Sequence, residues 1–314
     1  MYRVELTEPG EVIRSIPALL GFYPRDSLVV VAVIGAGRHP MVVRADLSEP
    51  DKDVAVWCAV EAHHCGERVH AVMVVIVGGD RLEHDGLVDE LEARADRAGI
   101  PFVFAAWIDV IEEGRVWESY TDSTCGRLAD PRTSPLAVLT TYEGKTIQPS
   151  REAIEAGMRP TAAETALARR RELIEEFHRT LDAEAAEGAI RHAAARDELP
   201  ETNEQFAVLV AALDIGEARD QAIRCMVDGD LQHYLALWQH VLHNVDGPDQ
   251  RHPATMLAVA SFLDGDSVRA AIATEIACRW AEPGSLPHLI HGALKTGMPP
   301  ETFRAIAHDA IAPD

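Results

Sequence analysis

The chain has 314 residues, 47% hydrophobic and 25% charged, with 51 acidic against 29 basic side chains and a formal net charge of −22. That length exceeds what a single core usually fills, so two domains are expected. The negative charge argues against a direct nucleic-acid role, which depends on cationic contacts to phosphate, and no apolar run is long enough to span a bilayer.

The first residues, Met1 to Pro9, show neither the basic nor the apolar region of a signal peptide. Five cysteines, at 58, 65, 125, 225 and 278, form an odd and scattered set that suits reduced thiols. A cytoplasmic protein is therefore expected. Strands are predicted near 2–6, 28–35, 41–47, 70–78 and 102–111, with a hairpin partner at 115–120. Leu28 to Ile34 and Ala71 to Val77 are apolar on both faces and β-branched, the pattern of central strands covered by helices on both sides. Helical spacing appears over 51–64 and 87–98, the second ending at Gly99, and a short helix is predicted over 136–142. The fold class expected for 1–158 is an α/β domain with a mostly parallel sheet and helices on both faces.

After Pro160 no β-type run appears, and 159–314 reads as an all-α domain of helical hairpins. Thr161-Ala-Ala-Glu164 has the form of a capping box opening a long helix. Phe206 to Arg219 parallels Met256 to Arg269, each an apolar helix, a turn after Leu-Asp and a second helix. This is either a two-copy repeat of stacked hairpins or ordinary hairpin packing.

Candidate chemistry is sparse. Arg44 and Asp46 share one face of their strand, where Arg44 could bind an anion with Asp46 as orienter or base, or the two could simply pair. Gly78-Gly79-Asp80-Arg81 follows a central strand, and open α/β sheets bind ligands at the carboxyl ends of strands. Ser27 begins the first central strand, and a functional reading of its turn puts Arg25, Asp26 and Ser27 at a pocket mouth. The candidate ligand-binding set is Ser27, Arg44, Asp46, Asp80 and Arg81. Cys58, His63, His64 and Cys65, and likewise His233, His240 and His243, lack the ligand spacing of a zinc site, so no metal and no cofactor is expected. No Gly-x-Ser-x-Gly, His-Glu-x-x-His or Cys-x-x-Cys motif occurs.

The turn Ile16-Pro-Ala-Leu-Leu-Gly-Phe-Tyr-Pro-Arg-Asp-Ser27, followed by Arg44-Ala-Asp-Leu47, Trp117, Pro149-Ser-Arg151, Trp238, Ala254-Thr-Met-Leu257, Gly265-Asp266 and Gly297-Met-Pro299, resembles the actinobacterial and actinophage family of domain of unknown function 4192. The resemblance covers nearly the whole chain. It implies a shared fold and an actinobacterial or phage source, and no activity. Three readings of function follow. The first is a non-enzymatic interaction protein whose helical hairpins offer a concave surface to a protein partner. The second is a small-molecule enzyme or sensor with its site at the strand ends, and the third is an acidic phage inhibitor of a host protein. Apolar stripes such as Leu231, Leu235 and Trp238 could serve a core or a homo-oligomer.

Overall fold

A computed structural model describes residues 8–35, 39–66, 68–195 and 199–310. The strand expected at 2–6 lies outside the described residues. The chain divides into two compact units, Met1–Ala153 with Lys295–Gly297, and Ile154–Leu294 with Met298–Asp314.

The first unit opens with helix α1 (Pro9–Leu20), which starts on a proline and stops at Gly21 in the left-handed region. Strands β1 (Ser27–Ile34), β2 (His39–Asp46), β3 (Val69–Val77), β4 (Phe102–Ile108), β5 (Val116–Ser119) and β6 (Cys125–Arg127) form one sheet in the order β2-β1-β3-β4-β5-β6. Only β3 and β4 pair in parallel; β1 is antiparallel to both β2 and β3, and β5 is antiparallel to both β4 and β6. The expectation of a mostly parallel sheet is thus corrected to a mixed, mostly antiparallel one. The physical reason lies in the links. Too few residues separate Ile34 from His39 for a crossover, so β1 and β2 form a hairpin. Helix α2 (Lys52–Gly66) then carries the chain from β2 to β3, which run in the same direction with β1 between them. Helix α3 (Asp85–Ala98) makes the crossover between the parallel neighbours β3 and β4.

Alternation along the strands splits their side chains between two faces. Leu28, Val30 and Ala32 of β1 with Val72, Val74 and Ile76 of β3 pack against Val56, Trp57 and Val60 of α2 and Val88, Leu91 and Ala95 of α3. On the other face Val29, Val31, Val75, Ala106 and Ile108 are equally buried. Trp117 lies beside Ile108 across the β4–β5 pair, hence on that second face, and its indole nitrogen comes within 3.2 Å of where a Cβ on Gly10 would sit. That contact puts α1 on the second face, so helices lie on both. Helix α4 (Pro135–Tyr142), capped by the Ser134 hydroxyl accepting from the Ala137 amide at 3.1 Å, packs on α1.

The second unit is helical among its described residues. Its helices are α6 (Glu164–Thr180), α7 (Ala183–Ala195), α8 (Asn203–Ala212), α9 (Gly216–Asp228), α10 (Leu231–His243), α11 (Arg251–Leu263), α12 (Ser267–Cys278), α13 (Leu286–Lys295) and α14 (Pro300–Ala310); a short α5 (Arg151–Ala156) precedes them. Helix α11 is the axis of this core, with every residue from His252 to Leu263 buried. Such a helix is apolar all round because neighbours cover all of it. The capping box expected at Thr161 does not form: α6 begins after Ala163, which offers no side-chain cap. The box sits instead at Thr202 and Gln205, each side chain accepting from the backbone of the other's end of the turn.

The two parallel segments share a helix–turn–helix path but not its packing. Helices α11 and α12 lie against each other along their length, whereas α9 packs on α7, and α8 on α6 and α7. Similar sequence has therefore produced one closed hairpin and one opened pair.

Candidate functional site

The opening turn is held by backbone and side chains together. Beyond Gly21, Phe22 bridges to Gln148 in parallel fashion, the Tyr23 amide donating to the Gln148 carbonyl at 3.1 Å and the Gln148 amide to the Gly21 carbonyl at 2.8 Å. Pro24 and Pro149 follow directly on the two sides, and neither can extend the ladder. Asp26 then adopts φ 41°, a left-handed conformation that a non-glycine residue enters only under constraint. Gly78 makes room for it: a Cβ there would fall 2.5 Å from Asp26 Oδ1. The Ser27 hydroxyl, fully buried, donates to the Arg25 carbonyl at 2.6 Å and accepts from Arg44 Nε at 2.9 Å. Arg44 also donates through Nη2 to Asp46 and stands 6.0 Å from the centroid of the Phe22 ring. Glu152 is held below the usual carboxylate range chiefly by the Ser150 hydroxyl and its own backbone amide, with Arg44 adding attraction.

Ser27, Arg44 and Asp46 thus come together, on the second face of the sheet, where Ser27 pairs with Asp46 and Val29 with Arg44 across the β1–β2 hairpin. Asp80 and Arg81 do not join them. Asp80 caps the short 3-10 turn Arg81–His84 by accepting from the Leu82 amide at 3.0 Å. Arg81 donates to the Ser119 carbonyl at 3.0 Å, meets Glu118 at 3.5 Å and covers the Tyr120 ring at 4.7 Å. Tyr120 packs with the α2–α3 core, so Arg81 serves the first face and Arg44 the second. The phenol of Tyr120 is pushed well above its ordinary range by burial.

What the turn does line is an open groove of about 450 Å³. Tyr23, Pro24, Val110, Ile111, Pro131, Ile147 and Pro149 supply its apolar surface, and Arg25, Glu112, Glu113, Asp130 and Arg132 its charges. Arg132 clamps Asp130 with two hydrogen bonds of 3.0 and 3.1 Å, which hold the carboxyl below its usual range, and Glu113 adds attraction to the same guanidinium. Burial raises the Tyr23 phenol. Of the lining residues, the sequence reading placed only Arg25 at a pocket mouth. Ile111, Pro131 and Pro149 converge from segments far apart in the chain, and no local signal marks them.

The second unit holds a polar centre that sequence reading also missed. Asp214, in the turn between α8 and α9, lies 2.6 Å from His252 Nε2 through Oδ1 and 2.6 Å from His178 Nε2 through Oδ2, and it also accepts from Arg251. Burial opposes its ionisation, but the His252 hydrogen bond and the charges of Arg251 and His178 prevail and hold it near pKa 2. His252 Nε2 also sits 2.8 Å from Arg251 Nη2. The ionised Asp214 carboxylate can only accept, so Nε2 carries the proton it donates there and keeps no lone pair for Arg251, whose own hydrogen bond goes to Asp214. Burial lowers the His252 pKa, and Arg251 and Arg219 push the same way against the pull of Asp214. Asp249, nearby, is raised by burial.

His233, His240 and His243 each bond a backbone carbonyl, of Ala193, Pro200 and Gly157, at 3.1, 2.9 and 2.6 Å. His63 lies 3.2 Å from the Ala59 carbonyl, and His64 Nδ1 accepts from the Val69 amide at 3.2 Å. Among the described residues no three His, Cys, Asp or Glu side chains converge on a point that could hold a metal ion.

Compared with known families, residues 9–301 match the model described as Domain of unknown function (DUF4192). No curated protein and no solved structure matches the chain.

Proposed function

The chain belongs to the family described as Domain of unknown function (DUF4192), and from that premise we propose that it is a non-enzymatic protein-binding protein whose α/β unit takes an extended segment of its partner in the groove beside the opening turn. The observation that carries this reading is the groove's construction. Three prolines and the Phe22–Gln148 bridge fix its apolar walls before any ligand arrives, which reduces the ordering cost of binding. Small-molecule sites enclose most of their ligand and converge a few polar groups on it; this surface is open, and its polar groups lie among apolar ones. The strand-end alternative has less support, because Arg44 is answered by Ser27 and Asp46 and Arg81 by Ser119, Glu118 and Tyr120.

Panning a random peptide display library on the full chain tests the reading. Enriched peptides should bind in solution, and Tyr23→Ala and Val110→Glu, which remove or charge the apolar surface, should weaken them about tenfold or more. Failure to enrich any peptide, or binding indifferent to both substitutions, would overturn it.

A further inference from the structure

Resting on the groove reading, we infer that the partner segment presents an Asp or Glu side chain to Arg25, and that Ser27 and Arg44 are positioning residues that hold Arg25 at the groove. Among the described residues, Arg25 is the basic group lining the groove that has no acidic partner. Arg132 is clamped by Asp130 and attracted by Glu113. Glu112 has Arg115 at 3.8 Å, and Arg115 also reaches Asp109 at 2.9 Å. Arg25 is exposed, lines the groove, and its guanidinium has no side-chain partner among the described residues. A guanidinium beside an apolar wall is matched by a carboxylate, which it can take with two parallel hydrogen bonds.

The backbone that carries Arg25 is unusually fixed. Pro24 precedes it, the strained Asp26 follows it, and its carbonyl is tied to the buried Ser27 hydroxyl. That hydroxyl has its acceptor side taken by Arg44, whose side chain is 13% exposed and is itself oriented by Asp46. The chain Arg44, Ser27, Arg25 therefore connects the sheet to the groove through two hydrogen bonds of 2.9 and 2.6 Å. The net charge of −22 repels an acidic segment at long range. At physiological salt that repulsion is screened beyond roughly 8 Å, so recognition is decided at contact.

The test uses N-acetylated, C-amidated synthetic versions of display-selected peptides, so that only side-chain carboxylates remain, with fluorescence anisotropy on the full chain. The expected result is enrichment of Asp or Glu at one position and a loss of about tenfold or more when it becomes Asn or Gln. Arg25→Gln should erase that acid-to-amide preference. Ser27→Ala and Arg44→Met should each cut the preference several-fold, whereas a merely structural role would weaken acid and amide peptides alike and leave their ratio as in the native chain. Ser27→Ala removes a single oxygen and keeps the test open if Arg44→Met does not fold. Peptides that bind in the groove, as judged by Tyr23→Ala and Val110→Glu, yet show no acid preference or ignore Arg25→Gln, overturn this inference and leave the groove reading standing. Absence of peptide binding removes the groove reading, and the inference with it.

Discussion

Asp214 gathers three donors from two helices on one carboxylate, and its neighbours titrate in opposite senses. Its folded pKa of about 2 lies below the ordinary 3.8, so its contribution is complete above about pH 4 and is lost as the pH falls from there towards 2. Asp214→Asn is expected to cost about 2 kcal/mol at neutral pH, the scale of charge-assisted hydrogen bonds, with the difference from the native chain vanishing near pH 2. Urea titrations across pH would show it. His252 adds a second window. Its folded pKa is lowered from 6.5, so the unfolded chain takes up a proton that the folded chain refuses, and stability falls as the pH drops below about 6.5. His252→Gln should therefore flatten the stability profile between about pH 7 and 5; a slope identical to the native one would contradict the burial argument. Asp249, raised by burial, works in reverse and favours the folded state as acid is added. None of this was legible in the sequence. His178, Asp214 and His252 are brought together by helix packing, and each alone reads as an ordinary surface residue. Arg44 and Asp46, by contrast, were legible as a pair, because two residues apart on a strand means one face.

At the scale of elements, the strands and most helices follow from apolar periodicity, while the pairing direction does not. Strands β1 and β3 are apolar on both faces because helices cover both, and that pattern is silent on direction. Link length decides direction, and the short, glycine-bearing stretch between Ile34 and His39 carried the hairpin signal that apolar content outweighed. The capping box at Thr161 failed for a similar reason. The Thr161 amide is drawn off to the His243 carbonyl at 2.8 Å, so the helix starts two residues later than the pattern suggests. Trp117 offers a test of how α1 is held. Its buried indole lies under Gly10, so Trp117→Ala should open a cavity and cost about 3 kcal/mol or more. Hydrogen exchange should then quicken at the amides of Val12 to Ile16. Unchanged protection there would mean that α1 is anchored by other contacts.

For the molecule as a whole, 51 acidic side chains against 29 basic ones make self-repulsion a standing cost of compactness. Raising sodium chloride from about 10 mM to 150 mM shortens the screening length from roughly 30 to 8 Å and should raise the melting temperature by about 2–4 °C. A melting curve insensitive to salt would show that the acidic groups are already answered locally, as many ion pairs on the surface suggest. The same excess keeps molecules apart, and one residue described above reinforces it at the most vulnerable place. Among the described residues strand β2 has a sheet neighbour on one side only, and the backbone groups that point to its other side would suit lateral growth with a second molecule. Pro40 deprives that margin of one amide, and the largely buried charge of Arg44 could not be shared with an incoming strand without losing Ser27 and Asp46. The guanidinium that steadies the opening turn thereby also places a charge on that margin, and a hydrophobic residue at position 44 is expected to make strand-to-strand association more favourable.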